Sequence, residues 1–284
     1  MIQPDYTSPD GRIKFYNCSY EELFKMGKIW DLANCDIPYG IGVGKMAYLT
    51  ETKTRAKQKN GNKLNANANK KGYKLKDWDN EAPPQAYFDK IKKCCKEQII
   101  FGVEYVDWTG LGNGRIKWNK GVAEGMSFKK YEMAYCSLID CEVELDLLWA
   151  GMCQAKSLAE PMTQQGNKKL NETRIHPTQK PILLHKRLIL DYMQKGWNIL
   201  NTHGGCCGDA IAVHDINAAL NMNLTLDICE IDTDYFNDAV KRFRTHLKRQ
   251  RTQFGLNLSQ DKSKYLEKQK QQFGLTNKTK SKNK

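Results

Sequence analysis

No apolar run in the chain approaches the ~18–20 residues a helix needs to span a bilayer, so no membrane partner is expected. The first residues, Met1-Ile2-Gln3-Pro4-Asp5, lack the apolar segment of a secretory leader, which makes the cytoplasm the expected compartment. Acidic residues are the minority: 32 Asp and Glu stand against 45 Lys and Arg, a formal net charge of +13. That deficit favours a polyanionic partner, nucleic acid before an anionic surface, with a merely solvated basic surface as the alternative. None of the ten cysteines forms a CxxC pair, and Cys94-Cys95 and Cys206-Cys207 are adjacent, a poor spacing for zinc. No metal site is expected, and in a reducing compartment most of these thiols read as small buried apolar residues.

What is present is enough apolar material, 40% of 284 residues, for one large domain with appendages. Residues 12–16 and 30–36 read as strands, with a short helix over 20–28 between them. From 45 to 76 the chain is Lys-, Asn- and Gly-rich with almost no apolar residues, which predicts a long flexible basic loop. A helix follows over 84–96, then strands over 98–103, 115–119, 131–137 and 144–149, and a polar loop over 154–175. Beyond it the pattern reads helix 181–195, strand 198–201, helix 209–220, strand 224–230 and helix 232–248. Strands alternating with helices predict an α/β fold with a doubly wound, mostly parallel sheet. Residues 249–284 are Lys-, Gln- and Asn-rich and are expected to be a disordered basic tail.

Three segments carry chemistry. Asp36-Ile37-Pro38-Tyr39-Gly40 follows a strand, and in open α/β sheets ligands bind at the carboxyl ends of strands. A carboxylate, a free carbonyl beside Pro and an aromatic ring suit a planar amine, although the same residues also make an ordinary turn. His176-Pro177-Thr178-Gln179-Lys180-Pro181 is too unusual for a generic helix start; the alternative is a rigid two-proline connector. Asn201-Thr202-His203-Gly204-Gly205-Cys206-Cys207-Gly208 leads from strand to helix, and the next strand ends at Glu230. Strand, glycine turn, helix, strand and acid form a nucleoside-binding pattern, with Glu230 and Asp232 also readable as acids at a helix start.

Together these segments resemble the amino-group DNA methyltransferases, in the circularly permuted type whose catalytic half precedes the cofactor half. Asp36-Ile37-Pro38-Tyr39 looks like that family's Asp-Pro-Pro-Tyr motif, His176 to Pro181 matches its His-Pro-Thr-Gln-Lys-Pro segment, and Asn201 to Gly208 looks like its cofactor loop in a phage-like variant. The resemblance spans about residues 12–246. It implies a Rossmann-like S-adenosylmethionine-dependent domain over 1–248: a catalytic half 12–150, a small target-recognition segment 151–175 and a cofactor half 176–248. It further implies methyl transfer to N6 of an adenine flipped from double-stranded DNA, as in restriction-modification systems. Asp36 and the Ile37 carbonyl would accept the amino hydrogens, Pro38 would hold the turn and Tyr39 would stack on the base. Asn201, His203 and Gly205 would cradle S-adenosylmethionine and Glu230 its ribose, with Thr178, Gln179 and Lys180 closing the methionine end. Cytosine-N4 or RNA methyl transfer, action on protein, and a non-catalytic DNA-binding relative are the alternatives. The chain departs from the family pattern at Ser19, Ile37, Asn201 and Cys207, where Asp, Pro, Asp and Gly are usual.

Overall fold

The computed structural model describes residues 2–46, 49, 72–125, 129–164, 166, 167, 169 and 171–256, with side chains up to residue 250. Most of the predicted basic loop and all of the tail beyond 256 lie outside these residues.

Nine strands form one sheet in the order β1 (Tyr6–Thr7), β2 (Ile13–Tyr16), β11 (Thr225–Cys229), β10 (Asn198–Asn201), β3 (Trp30–Asp36), β4 (Cys95–Phe101), β6 (Tyr131–Cys136), β5 (Arg115–Asn119) and β7 (Glu142–Asp146). The run from β2 to β4 is entirely parallel, and β5 pairs with β7 in parallel. β1 against β2, and β6 against both β4 and β5, are antiparallel. The sheet is therefore mixed but mostly parallel. β10 and β11 come late in the chain yet sit between β2 and β3.

Successive residues of the central strands bury on opposite faces, as the period of two requires. Leu32, Ile99, Ile199 and Ile228 join one apolar core, with α3 (Ile182–Tyr192), α4 (Gly208–Leu220) and α5 (Thr233–Leu256). Their neighbours Ala33, Ile100, Leu200 and Cys229 join a second core, with α1 (Tyr20–Phe24) and α2 (Gln85–Cys94). Helices on both faces make the fold doubly wound, and strands buried on both sides explain the near-continuous apolar runs. A fully buried Leu or Ile contributes about 1.5–3 kcal/mol, so these two layers dominate the fold's stability.

Several boundaries move. The helix expected over 20–28 ends at Phe24, because Gly27 takes a left-handed φ of 64° and turns the chain. The strand expected over 98–103 starts at Cys95 and ends at Phe101, before Gly102 at φ 92°. The strand expected over 144–149 divides into β7 and a separate small hairpin, β8 (Trp149–Ala150) with β9 (Cys153–Gln154). The last helix continues to Leu256 instead of ending at 248, so the beginning of the predicted tail is helical. Six of the ten cysteines are buried and all are free. Among the described residues no helix is long and apolar enough to cross a membrane.

Candidate active site

A cavity of about 300 Å³ opens at the carboxyl ends of β2, β3, β10 and β11. Asp36, Ile37, Pro38 and Tyr39 line it, as do Thr178, Gln179 and Lys180, and Asn201, His203, Gly205 and Glu230. Segments that begin 140 and 165 positions after Asp36 in the chain thus meet around one space, together with Ser19 and Tyr20 after β2.

The turn from β10 into α4 is held by its own backbone. Gly204 N–H donates to Cys229 O at 2.7 Å, and Cys207 N–H to Gly204 O at 2.7 Å. Gly205 has φ 51°, and its N–H donates to Glu230 Oε2 at 2.6 Å. Glu230 Oε1 accepts from Asp232 N–H at 2.8 Å, so this carboxylate clasps the glycine turn to the end of β11; burial nevertheless raises its pKa. Cys207, where Gly is usual in the resembled family, also sits in the left-handed region at φ 48°, a strain of about 1–2 kcal/mol for a residue with a Cβ. Its side chain is buried in the core shared with α3, α4 and α5.

Asn201 is locked on both ends of its amide. Its Oδ1 accepts from His203 N–H at 2.9 Å and its Nδ2 donates to Asp209 Oδ2 at 2.7 Å. Burial pushes the Asp209 carboxyl up to about 6 against the pull of that amide. His203 Nδ1 lies 2.9 Å from Thr202 Oγ1, which meets Tyr87 Oη at 2.6 Å, and the imidazole packs against the rings of Tyr20 and Tyr87. His176 lies between Trp78 and Tyr235, with ring centroids 4.8 and 4.3 Å away. Burial lowers both histidines to about 3, so each is neutral at pH 7. The wall between Glu230 and Asp36 is thus mainly aromatic and uncharged.

The opposite end of the cavity is charged. Lys180 Nζ lies 2.5 Å from Asp36 Oδ1 and 3.1 Å from Glu132 Oε2. Glu132, on β6, is also paired with Lys120 at 2.9 Å. Tyr39 Oη is 3.1 Å from Asp36 Oδ1 and 3.3 Å from Glu132 Oε2, and it accepts from Lys180 at 3.2 Å. Burial penalises every charge here. It wins at Asp36, whose carboxyl is raised despite Lys180, while at Glu132 the two ammonium groups win and hold the carboxyl down to about 2. The two carboxylates in turn keep Lys180 protonated despite its burial.

The Tyr39 ring is stacked on Tyr105, centroids 4.6 Å apart at 13°. This close fit needs glycine at 102, where a Cβ would meet Tyr39 Cε1 at 2.3 Å. Thr178 Oγ1 lies 3.1 Å from His176 Nδ1. Gln179 lines the cavity, but its side chain is committed elsewhere: Oε1 accepts from Ile175 N–H at 2.9 Å and Nε2 donates to Glu172 and Thr173.

Sequence reasoning missed Asp79 and Glu132. Asp79 is 2% exposed and accepts from the N–H groups of Tyr39 at 2.6 Å, Gly40 at 3.1 Å and Val43 at 2.9 Å. It therefore sets the backbone of the 36–43 turn. Its place just beyond a long polar stretch gave no signal in the sequence. Glu132 could have been noticed as a carboxylate inside an otherwise uncharged strand segment, Tyr-Glu-Met-Ala-Tyr-Cys.

No family model matches the chain, and no curated protein matches it by sequence. Among solved structures, the chain is similar to the complex of M1.HpyAVI with SAM at 14% identity and a TM-score of 0.44, over 81% of this chain and 99% of that one. It is also similar to the PvuII DNA methyltransferase (cytosine-N4-specific) at 12% identity and a TM-score of 0.47, over 85% of this chain and 89% of that one.

Proposed function

We propose that the chain is an S-adenosylmethionine-dependent DNA methyltransferase acting on N6 of adenine. The observation that carries this reading is the meeting of the Asp36 turn with the Asn201–Gly208 turn and Glu230 around one cavity. The late strands β10 and β11 lie between β2 and β3, as the permuted arrangement requires.

The donor set suits the cofactor. Glu230 stands at the end of the second strand, where a carboxylate meets ribose hydroxyls. The aromatic groups Tyr20, His203 and Trp78 line the path toward Asp36 and suit an adenine ring and a sulfonium cation. When bound, S-adenosylmethionine supplies an electrophilic methyl group. Everything else falls to the chain. Asp36, at the end of β3, accepts one hydrogen of the target amine and the Ile37 carbonyl the other, which localises the nitrogen lone pair. Pro38 keeps the turn rigid, and Asp79 holds its N–H groups. Tyr39 stacks on the flipped base, its ring backed by Tyr105. His203 and His176 are neutral and add no competing charge. Catalysis then consists of orientation and electrostatic placement. The net charge of +13 supplies the attraction for double-stranded DNA.

The test is transfer of label from methyl-labelled cofactor to DNA, RNA and protein, followed by digestion of the DNA to nucleosides. Label in N6-methyladenine is the expected result. Label in N4-methylcytosine, or in RNA or protein alone, overturns the substrate assignment. No transfer, together with no cofactor binding in calorimetry, overturns the reading as a whole.

A further inference from the structure

Behind the charged end of the cavity, which Asp36 and Lys180 line, stand more charges than Asp36 requires. Two carboxylates, Asp36 and Glu132, and two ammonium groups, Lys180 and Lys120, alternate in a chain with spacings of 2.5, 3.1 and 2.9 Å. Lys180 is only 4% exposed. Its two carboxylates come from strands with β4 between them, so neither is a local helix partner of the lysine. Lys180 and Tyr39 both bind Asp36 through Oδ1. Its other oxygen belongs to a side chain that lines the cavity.

We propose that Glu132 is a positioning residue of this site: by sharing Lys180 with Asp36, it keeps the ammonium over Oδ1 and leaves Oδ2 to accept an amine hydrogen. The physical reason lies in what each neighbour does alone. Paired only with Lys180, Asp36 would be a strongly neutralised salt bridge and a poor acceptor. Facing Glu132 without Lys180, it would share one proton with a second carboxylate. The alternating chain avoids both extremes, because Lys180 is divided between two carboxylates and Glu132 between two ammonium groups. Other charges nearby are already matched: Lys129 pairs with Glu104 at 2.7 Å and also reaches Tyr105 Oη. Tyr39 Oη, hydrogen-bonded to Asp36, Glu132 and Lys180, ties the chain to the aromatic platform. The amine-acceptor role of Asp36 rests on the proposed function; the electrostatic division does not.

The experiment is a carboxyl ¹³C NMR titration of Asp36 in the full chain, with the resonance assigned through Asp36→Asn. It needs no substrate. Glu132→Gln gives Lys180 wholly to Asp36, so the Asp36 midpoint falls by about one pH unit; Lys180→Gln leaves two facing carboxylates, and the midpoint rises by about one unit or more. Lys180→Arg keeps a shared cation and leaves the midpoint near the parent value. In turnover, the acid limb of kcat/KM moves in the same directions, kcat falls about tenfold or more in Glu132→Gln, and the cofactor dissociation constant stays within about twofold. Should Glu132→Gln fail to fold, the Lys180→Gln and Lys180→Arg pair reads the same division. Superimposable Asp36 titrations in parent and folded variants overturn the role of Glu132. Midpoints that move as stated in a protein that methylates nothing leave the electrostatic division standing and overturn only the proposed function.

Discussion

Asn201 donates its amide N–H to the buried carboxylate of Asp209 across 2.7 Å, so the asparagine is the partner that Asp209 requires. An aspartate at 201, usual in the resembled family, would put two carboxylates within hydrogen-bond distance in a site with no cation between them in these contacts. Asn201→Asp is therefore expected to lower stability by about 1–3 kcal/mol at pH 7.5, as for an unmatched buried polar group. Thermal melts of parent and variant check this. A variant as stable as the parent, with tighter cofactor binding, would show that the asparagine is a loss and no adaptation.

The same pair predicts a pH dependence. The Asp209 carboxyl is raised from 3.8 to about 6, so between these values the folded chain binds more protons than the unfolded one. Its contribution to stability is full below about pH 4 and is lost as pH rises toward 6, on the order of 3 kcal/mol. Asp209→Asn should remove that slope, gaining stability over the parent at pH 7.5 and not at pH 4. Chemical denaturation at the two pH values measures the difference directly.

Asp79 should matter as much as the residues it holds. Asp79→Ala leaves the N–H groups of Tyr39, Gly40 and Val43 without their acceptor, with a cost of about 2–3 kcal/mol. The Asp36 turn then loses its fixed geometry, and kcat is expected to fall at least about tenfold while cofactor affinity changes little, since Asp79 does not touch the Gly204–Gly205 turn. Steady-state kinetics beside calorimetry separates the two effects; unchanged kcat would reduce Asp79 to a scaffold residue.

Gly102→Ala is a steric test of the aromatic platform. The new Cβ would lie 2.3 Å from Tyr39 Cε1 at a backbone φ of 92°, so the ring has to leave its stack on Tyr105. Stability should drop by about 1–3 kcal/mol, and affinity for DNA with a mismatched target base should weaken while affinity for an abasic target does not, as fluorescence anisotropy would report.

Glu230→Ala should raise the cofactor dissociation constant by about tenfold or more, by removing the proposed ribose acceptor and by freeing Gly205 N–H from its clasp. Glu230→Gln keeps one carbonyl oxygen and should fall between the two. Equal affinities by calorimetry in all three proteins would leave Glu230 with the turn alone.

The central strands were legible because burial on both faces forces near-continuous apolar runs, and Trp30–Asp36 was read to the residue. Cys95, Lys96 and Glu97 were not read as strand, since Lys96 is exposed and polar there and only the pairing with β3 reveals them. The last helix ran beyond its expected end because its continuation is polar and offers no apolar period. In the site, the segments read as motifs, Asp36 to Tyr39, His176 to Lys180 and Asn201 to Gly205 with Glu230, contribute residues to one cavity. Their partners were hidden for a physical reason: Asp79 reaches Tyr39 across 40 positions and Lys180 reaches Asp36 from 144 positions away, and no local pattern encodes such pairs.

The ends of the basic stretch meet beside the Asp36 turn. Lys76 N–H donates to Gly44 O at 3.2 Å, Tyr73 N–H to Leu49 O at 2.9 Å, and Gly40 packs where a Cβ would lie 2.9 Å from Ala82 N. Chain that departs and returns at one anchored point can change in length at little thermodynamic cost, about 0.6 kcal/mol for each doubling. The Asp36 turn is thereby held by described residues on both sides of the basic stretch, so a change in that stretch's length is expected to leave the sheet, the turn and Asp79 in register.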